Sequence, residues 1–153
     1  MATSITMRPE AASSKTEPHA LAHATLIISG EFVEPDFWTE YFGVTPFSVR
    51  TKGKRYSYPS GKISARPADS GFWAFGSKSA IRSDHLTPHL DYLKSALALP
   101  RDDLRTLAKA QGAKLALWCY WDNETGDRLP DVPDGIRRMM ERMGGTVEID
   151  EYR

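Results

Sequence analysis

The chain has 153 residues, 41% of them hydrophobic and 26% charged, with a formal net charge of zero. That is the size of one domain, large enough to bury a core without a disulfide or metal staple. The charge balance argues against a generally basic nucleic-acid binder, and a single cysteine, Cys119, excludes an intramolecular disulfide and the multi-cysteine zinc sites.

Residues 1–22 are rich in Ala, Ser, Thr and Pro and show no period, so they read as a disordered tail ahead of a single α+β domain at 23–153. The first twenty residues lack the apolar run of a signal peptide. No stretch approaches the ~18 apolar residues of a membrane span. The expectation is a soluble cytoplasmic protein, with which one lone cysteine is compatible.

"ATLIISGEF" alternates, Leu26, Ile28 and Phe32 against Thr25, Ser29 and Glu31, and reads as a strand. "EPDFWTEYFG" reads as a short helix opened by Pro35, closed by Gly43, with Phe37, Trp38, Tyr41 and Phe42 as its inner face. "SVRTKGKRY" and "KISARPADSGFWAFGS" flank the turn-forming "SYPSG" and read as a hairpin, irregular around Pro67–Gly71. In its second strand Phe72 and Ala74 share one face, Trp73 and Phe75 the other.

"TPHLDYLKSALAL" reads as a helix with Thr87 as N-cap, Pro88 in the first turn and an inner stripe of Leu86, Leu90, Leu93 and Leu97. "PRDDLRTLAKAQG" is a second helix, stopped by Gly112. "AKLALWCYW" is the most apolar strand. Leu115, Leu117, Cys119 and Trp121 take one face, and Trp118 and Tyr120 make the other aromatic too. "DGIRRMMERMGG" spaces Ile136, Met139, Met140 and Met143 as a helix ending at Gly144, and "TVEIDEY" closes as a strand.

This order predicts an α+β single-domain sandwich. Its mostly antiparallel sheet has a ferredoxin-like βαββαβ core, an extra helix and an extra strand, with helices mainly on one face.

No nucleophile elbow is present, and Cys119 lies mid-strand among aromatics, where a thiol is an inert small hydrophobe. Of the four histidines, His19 and His23 lie in or beside the tail. His85 and His89 have the spacing of a zinc pair, but a helix starting at Pro88 leaves His85 outside it, and both read as half-exposed. "SGKIS" lacks the first glycine and the trailing hydroxyl of a phosphate loop. Asp122, Glu124 and Asp127 in "DNETGD" lack the bidentate glutamate of a calcium loop and read as a polar tip. No catalytic residue, metal ligand or cofactor is expected.

The basic stretch stands apart. Arg50, Lys52, Lys54, Arg55, Lys62 and Arg66 fall within residues 50–66 without an acid. On a strand Arg50, Lys52 and Lys54 would line one face, where like charges repel unless solvated or matched. An edge strand guarded by lysine accounts for them, as does a surface for an acidic protein or an anion. The expected partner-binding residues are Arg50, Lys52, Lys54, Arg55, Tyr56, Lys62, Arg66 and Trp73. A nucleic-acid-binding reading through the 50–66 hairpin is the alternative, weakened by zero net charge and by "SGFWAFGSK", which lacks the order of an RNA-recognition motif. An enzyme of unknown reaction would need Arg66, Asp69, His85 and Trp73 to converge on one pocket.

Together, "LIISGEFVEPDFWTEYFGVTPFSVRTKGKRY", "SGFWAFGSK", "HLTPHLDYLKSAL" and "GGTVEIDEY" resemble the bacterial family known as domain of unknown function 4279, across Ala24–Tyr152. The family's serine after the helix-end proline is Phe47 here, with Ser48 one later. The resemblance implies a small bacterial domain without an assigned activity, so no functional residue carries over. Small standalone bacterial domains of this kind often act as immunity proteins that neutralise a toxin. The leading expectation is therefore a non-enzymatic protein-binding domain, its partner a toxin domain, another protein or a second copy of itself.

Overall fold

A computed structural model describes residues 21–153. Its elements are β1 (Ala22–Gly30), α1 (Pro35–Phe42), β2 (Ser48–Arg50), β3 (Gly71–Gly76), α2 (Leu86–Ala96), α3 (Leu104–Ala110), β4 (Lys114–Asp122), α4 (Asp134–Arg142) and β5 (Thr146–Tyr152). The disordered-tail expectation lies outside the described residues, except that buried Leu21 and the first strand residue, Ala22, belong to the domain.

The five strands form one open mixed sheet in the order β2-β3-β1-β4-β5. β1 pairs antiparallel with β3 and β4, β2 antiparallel with β3, and β5 parallel with β4. β3 thus lies between β1 and β2, which run in the same direction. The parallel pair follows from α4, whose crossover carries the chain back to the start of the sheet.

Alternation divides the sheet into two faces. Leu26 stands opposite Phe75 and Leu117, and Ile28 opposite Trp73 and Leu115. This face packs with Trp38 and Phe42 of α1, Leu86, Leu90 and Leu93 of α2, Leu104 and Ala108 of α3, and Ile136, Met139 and Met140 of α4. Burial of that many large apolar side chains is the main stabilising term of the domain. The opposite face carries no helix among the described residues. On it half-buried His23, Trp118 and Tyr120 and exposed Tyr152 form an aromatic row, with His23 stacked 4.8 Å from Tyr120 and Tyr152 5.2 Å from it.

Two glycines meet strict demands. Gly43 ends α1 at φ 69°, a left-handed cap that an L side chain rarely adopts. At Gly71, a Cβ would lie 2.4 Å from the Val33 carbonyl oxygen, so only glycine lets β3 start this close to the turn after β1.

Three expectations need correction. The strand expected to run from Ser48 to Tyr56 ends at Arg50, so Arg50, Lys52 and Lys54 do not share a strand face. Beyond Arg50 the chain turns at Gly53 (φ 82°) and forms only isolated bridges, Lys52–Ala68 and Ser57–Ile63. Second, α2 begins at Leu86, with His85 rather than Thr87 as N-cap residue. Asp131, from the loop after β4, accepts hydrogen bonds from the Leu86 and Thr87 amides at 2.7 and 2.9 Å and so caps the helix from a distance. Third, His89 is not half-exposed but wholly buried, facing the core beside Leu86 and Leu90.

Candidate functional site

Residues 51–70 arch over the helix-free face at the β2–β3 side of the sheet. Their irregular path is fixed by backbone hydrogen bonds between its limbs. The Gly53 amide donates to Ala68 and the Ala68 amide to Lys54, both at 2.9 Å; the Tyr58 amide donates to Lys62 and the Ser64 amide to Tyr56, both at 2.8 Å. Ser64 is buried between the limbs. Its hydroxyl accepts from the Tyr56 amide at 3.1 Å and donates to the Arg66 carbonyl at 2.8 Å.

The loop has two concave sides. Under it lies a cavity of about 550 Å³, bordered by Arg50, Tyr56, Tyr58, Arg66, Asp69 and Phe72 among others. Its floor is one row across three strands, Arg50 paired with Phe72 and Phe72 with Ser29. The Arg50 guanidinium sits 4.1 Å from the Tyr56 ring centroid and 5.8 Å from that of Phe72. Such cation–π contacts orient a guanidinium by its face and leave its N–H edge to other groups. Tyr58 meets Tyr56 edge-on at 5.5 Å, and a hydrogen bond with Tyr56 raises the Tyr58 pKa. Outside the loop, along the free edge of β2, a groove of about 410 Å³ is bordered by Phe47, Val49, Lys54 and Arg55.

The eight expected binding residues divide accordingly. Arg50, Tyr56 and Arg66 meet at the cavity, while Lys54 and Arg55, with Arg50 and Tyr56, border the outer groove. Lys52 pairs with Glu31 and lies 5.6 Å from the Phe32 ring. Lys62 stands in the exposed turn at the loop tip. Trp73 is on the other side of the sheet, wholly buried, stacked on Phe42 at 5.2 Å, its indole N–H donating to the Thr39 hydroxyl at 3.0 Å. A strand alternates its faces, so the residue next to Phe72 has to point into the core.

The grouping that an enzyme would have needed does not form. Arg66 and Asp69 share the cavity, but Trp73 is in the core and His85 lies at the start of α2, 3.6 Å from Asp84 and 3.9 Å from Asp131. Asp122 and Asn123 are buried rather than part of an exposed tip. Asn123 accepts from the Arg128 amide, and Arg128 lies 4.1 Å over the Trp121 ring. Cys119 is buried, and burial pushes its thiol up to about 12, far from a thiolate nucleophile. Among the described residues no group of three His, Cys, Asp or Glu side chains is placed to hold a metal ion, and no helix is long and apolar enough to cross a membrane.

Sequence reasoning missed Ser64, Tyr58 and Phe72 as parts of this site, and named Asp69 only for the enzyme reading. A serine in a Ser/Gly/Pro-rich loop carries no local sign of burial, and Phe72 read only as a packing residue.

Residues 19–153 match the family described as a domain of unknown function, DUF4279. The chain belongs to that family. The DUF4279 match covers every element of the sheet and the whole 51–70 loop, so the loop is part of the domain rather than an insertion outside it. No curated protein and no solved structure matches this DUF4279 chain.

Proposed function

We propose that this DUF4279 domain is a non-enzymatic protein-binding module that takes an extended acidic segment of a partner protein along the free edge of β2. The observation that carries this is charge without a match. Of the six cations between residues 50 and 66, only Lys52 forms an ion pair among the described residues. β2 ends the sheet, so its outer edge offers backbone donors and acceptors to an added strand. Phe47, 68% exposed, and Val49, 40% exposed, border the groove at that edge together with Lys54 and Arg55. Backbone pairing supplies affinity, and the cations favour acidic side chains and speed encounter. Neutralisation of a toxin domain is one concrete form of such binding. The partner is sought in the cytoplasm, the compartment expected from the sequence. We also read β1–β4 with α1–α3 as a ferredoxin-like core of a two-layer sandwich, which leaves the β2 edge open for an added strand.

The test is recovery of a partner on the purified chain from native cells, repeated with Lys54→Glu combined with Arg55→Glu. A stoichiometric protein partner is expected, released by salt and lost in the double variant. Recovery of the chain alone, or a partner indifferent to the double substitution, overturns the reading. Salt-sensitive retention on oligonucleotides that the same variant abolishes would replace it with the nucleic-acid alternative.

A further inference from the structure

The cavity under the 51–70 loop shares Arg50 and Tyr56 with the groove at the β2 edge and carries an inference of its own. We propose that it is a binding site for a small hydroxylated aromatic carboxylate. Arg50 and Arg66 hold the acid group, Tyr56 and Phe72 the ring, and Asp69 accepts from the hydroxyl.

Five observations support this. The cavity volume of about 550 Å³ falls in the range that encloses small ligands. Among the described residues the side chains of Arg50 and Arg66 donate no hydrogen bond and form no ion pair, so two arginines line one space without an acceptor. Two cations lining one space favour an anion there, which accepts their paired N–H donors. The rings beside Arg50 supply a flat apolar wall. Asp69 is the single carboxylate on the lining, which remains net positive, and it selects for a ligand that can also donate a hydrogen bond. The site is built rather than incidental, because buried Ser64 ties the backbone of Tyr56 to that of Arg66. That tie holds the backbones of these two lining residues together before any ligand arrives, which lowers the ordering cost of binding.

The full chain is titrated with 4-hydroxybenzoate, cyclohexanecarboxylate and inorganic phosphate, followed by calorimetry and by amide shifts of residues 50–72. Saturable binding of 4-hydroxybenzoate is expected with a Kd below about 1 mM, and at least roughly tenfold weaker binding of the other two probes. Arg66→Gln, an exposed position, abolishes the binding without changing the circular dichroism, and Lys54→Gln leaves it unchanged. The proposal is overturned if 4-hydroxybenzoate does not saturate, if Arg66→Gln binds it as well as the parent chain, or if phosphate binds equally tightly.

Discussion

Ser77 and His89 are a hydroxyl and an imidazole within reach of each other, 2.6 Å apart, yet they work as structure. The His89 Nε2–H donates to the Ser83 carbonyl at 2.9 Å, which leaves Nδ1 as the acceptor for the Ser77 hydroxyl. The same hydroxyl oxygen accepts from the Ala24 amide at 3.0 Å. Both residues are fully buried, so no substrate reaches this pair, and it ties β1 to the segment entering α2. Replacing Ser77 with Ala strands an amide donor and an imidazole nitrogen in the core. A loss of about 1–3 kcal/mol is expected in urea unfolding, since an unsatisfied buried polar group carries its full desolvation cost. A loss near zero would show that the pair contributes no tie. The burial of His89 was legible in principle. Leu86, His89, Leu90, Leu93 and Leu97 recur at helical spacing, and only the polar type of residue 89 steered the reading toward the surface.

The helices and strands were legible because their signals are local. Pro35 and Gly43 bracket α1, and the alternation of β4 and the spacing of the α4 methionines fix their inner faces within a few residues. The start of α2 was not legible, because the group that sets it is Asp131, 45 residues from Leu86 along the chain. Loop 51–70 was misread for a similar reason. Its basic, β-prone residues suit a strand, but bridges to Ala68 and Ile63 turn it into an arch after Arg50. Burial by itself would raise the Asp131 pKa, but hydrogen bonds from Leu86 and Thr87 outweigh it and hold the carboxyl below its ordinary 3.8. A depressed folded pKa gives stability that is present above the ordinary value and lost as pH falls through the folded one. Asp131→Ala is expected to cost about 0.5–2 kcal/mol at neutral pH, the range of a lost N-cap. Its deficit against the parent should shrink in acid, below the ordinary carboxylate range. Urea midpoints measured at neutral pH and in acid check this, and a deficit that stays constant would remove the carboxylate from the capping role.

At the scale of the molecule, zero net charge hides a separation. The basic residues 50–66 sit at the β2 edge of the sheet, and Glu148, Asp150 and Glu151 line β5 at the other edge. Composition showed both groups, but only the strand order places them at opposite edges. Glu148 and Asp150 pair with Trp118 and Tyr120 and so share the helix-free face with the 50–66 loop, whereas Glu151 pairs with Trp121 on the core side. Stability adds a second global property, its dependence on alkaline pH. Burial pushes the Cys119 thiol from its ordinary 9.0 to about 12. Burial and the hydrogen bond to Asp103 push the Tyr41 hydroxyl from 10.0 to about 12. In both cases the unfolded chain releases its proton first. Stability is therefore complete below the ordinary values and declines as pH rises from about 9 toward about 12. Cys119 is the deeper of the two and dominates, because its thiol is wholly buried whereas Tyr41 is only partly buried and more open to solvent screening. Urea midpoints measured from neutral pH upward should fall across this window. Cys119→Ala should flatten the fall, whatever offset its smaller side chain adds at neutral pH. In the native state a thiol reagent at mildly alkaline pH should label the protein only as fast as it opens, and in urea at once. A parent and a Cys119→Ala variant with equal slopes, or rapid labelling of the folded chain, would place the thiol outside the core.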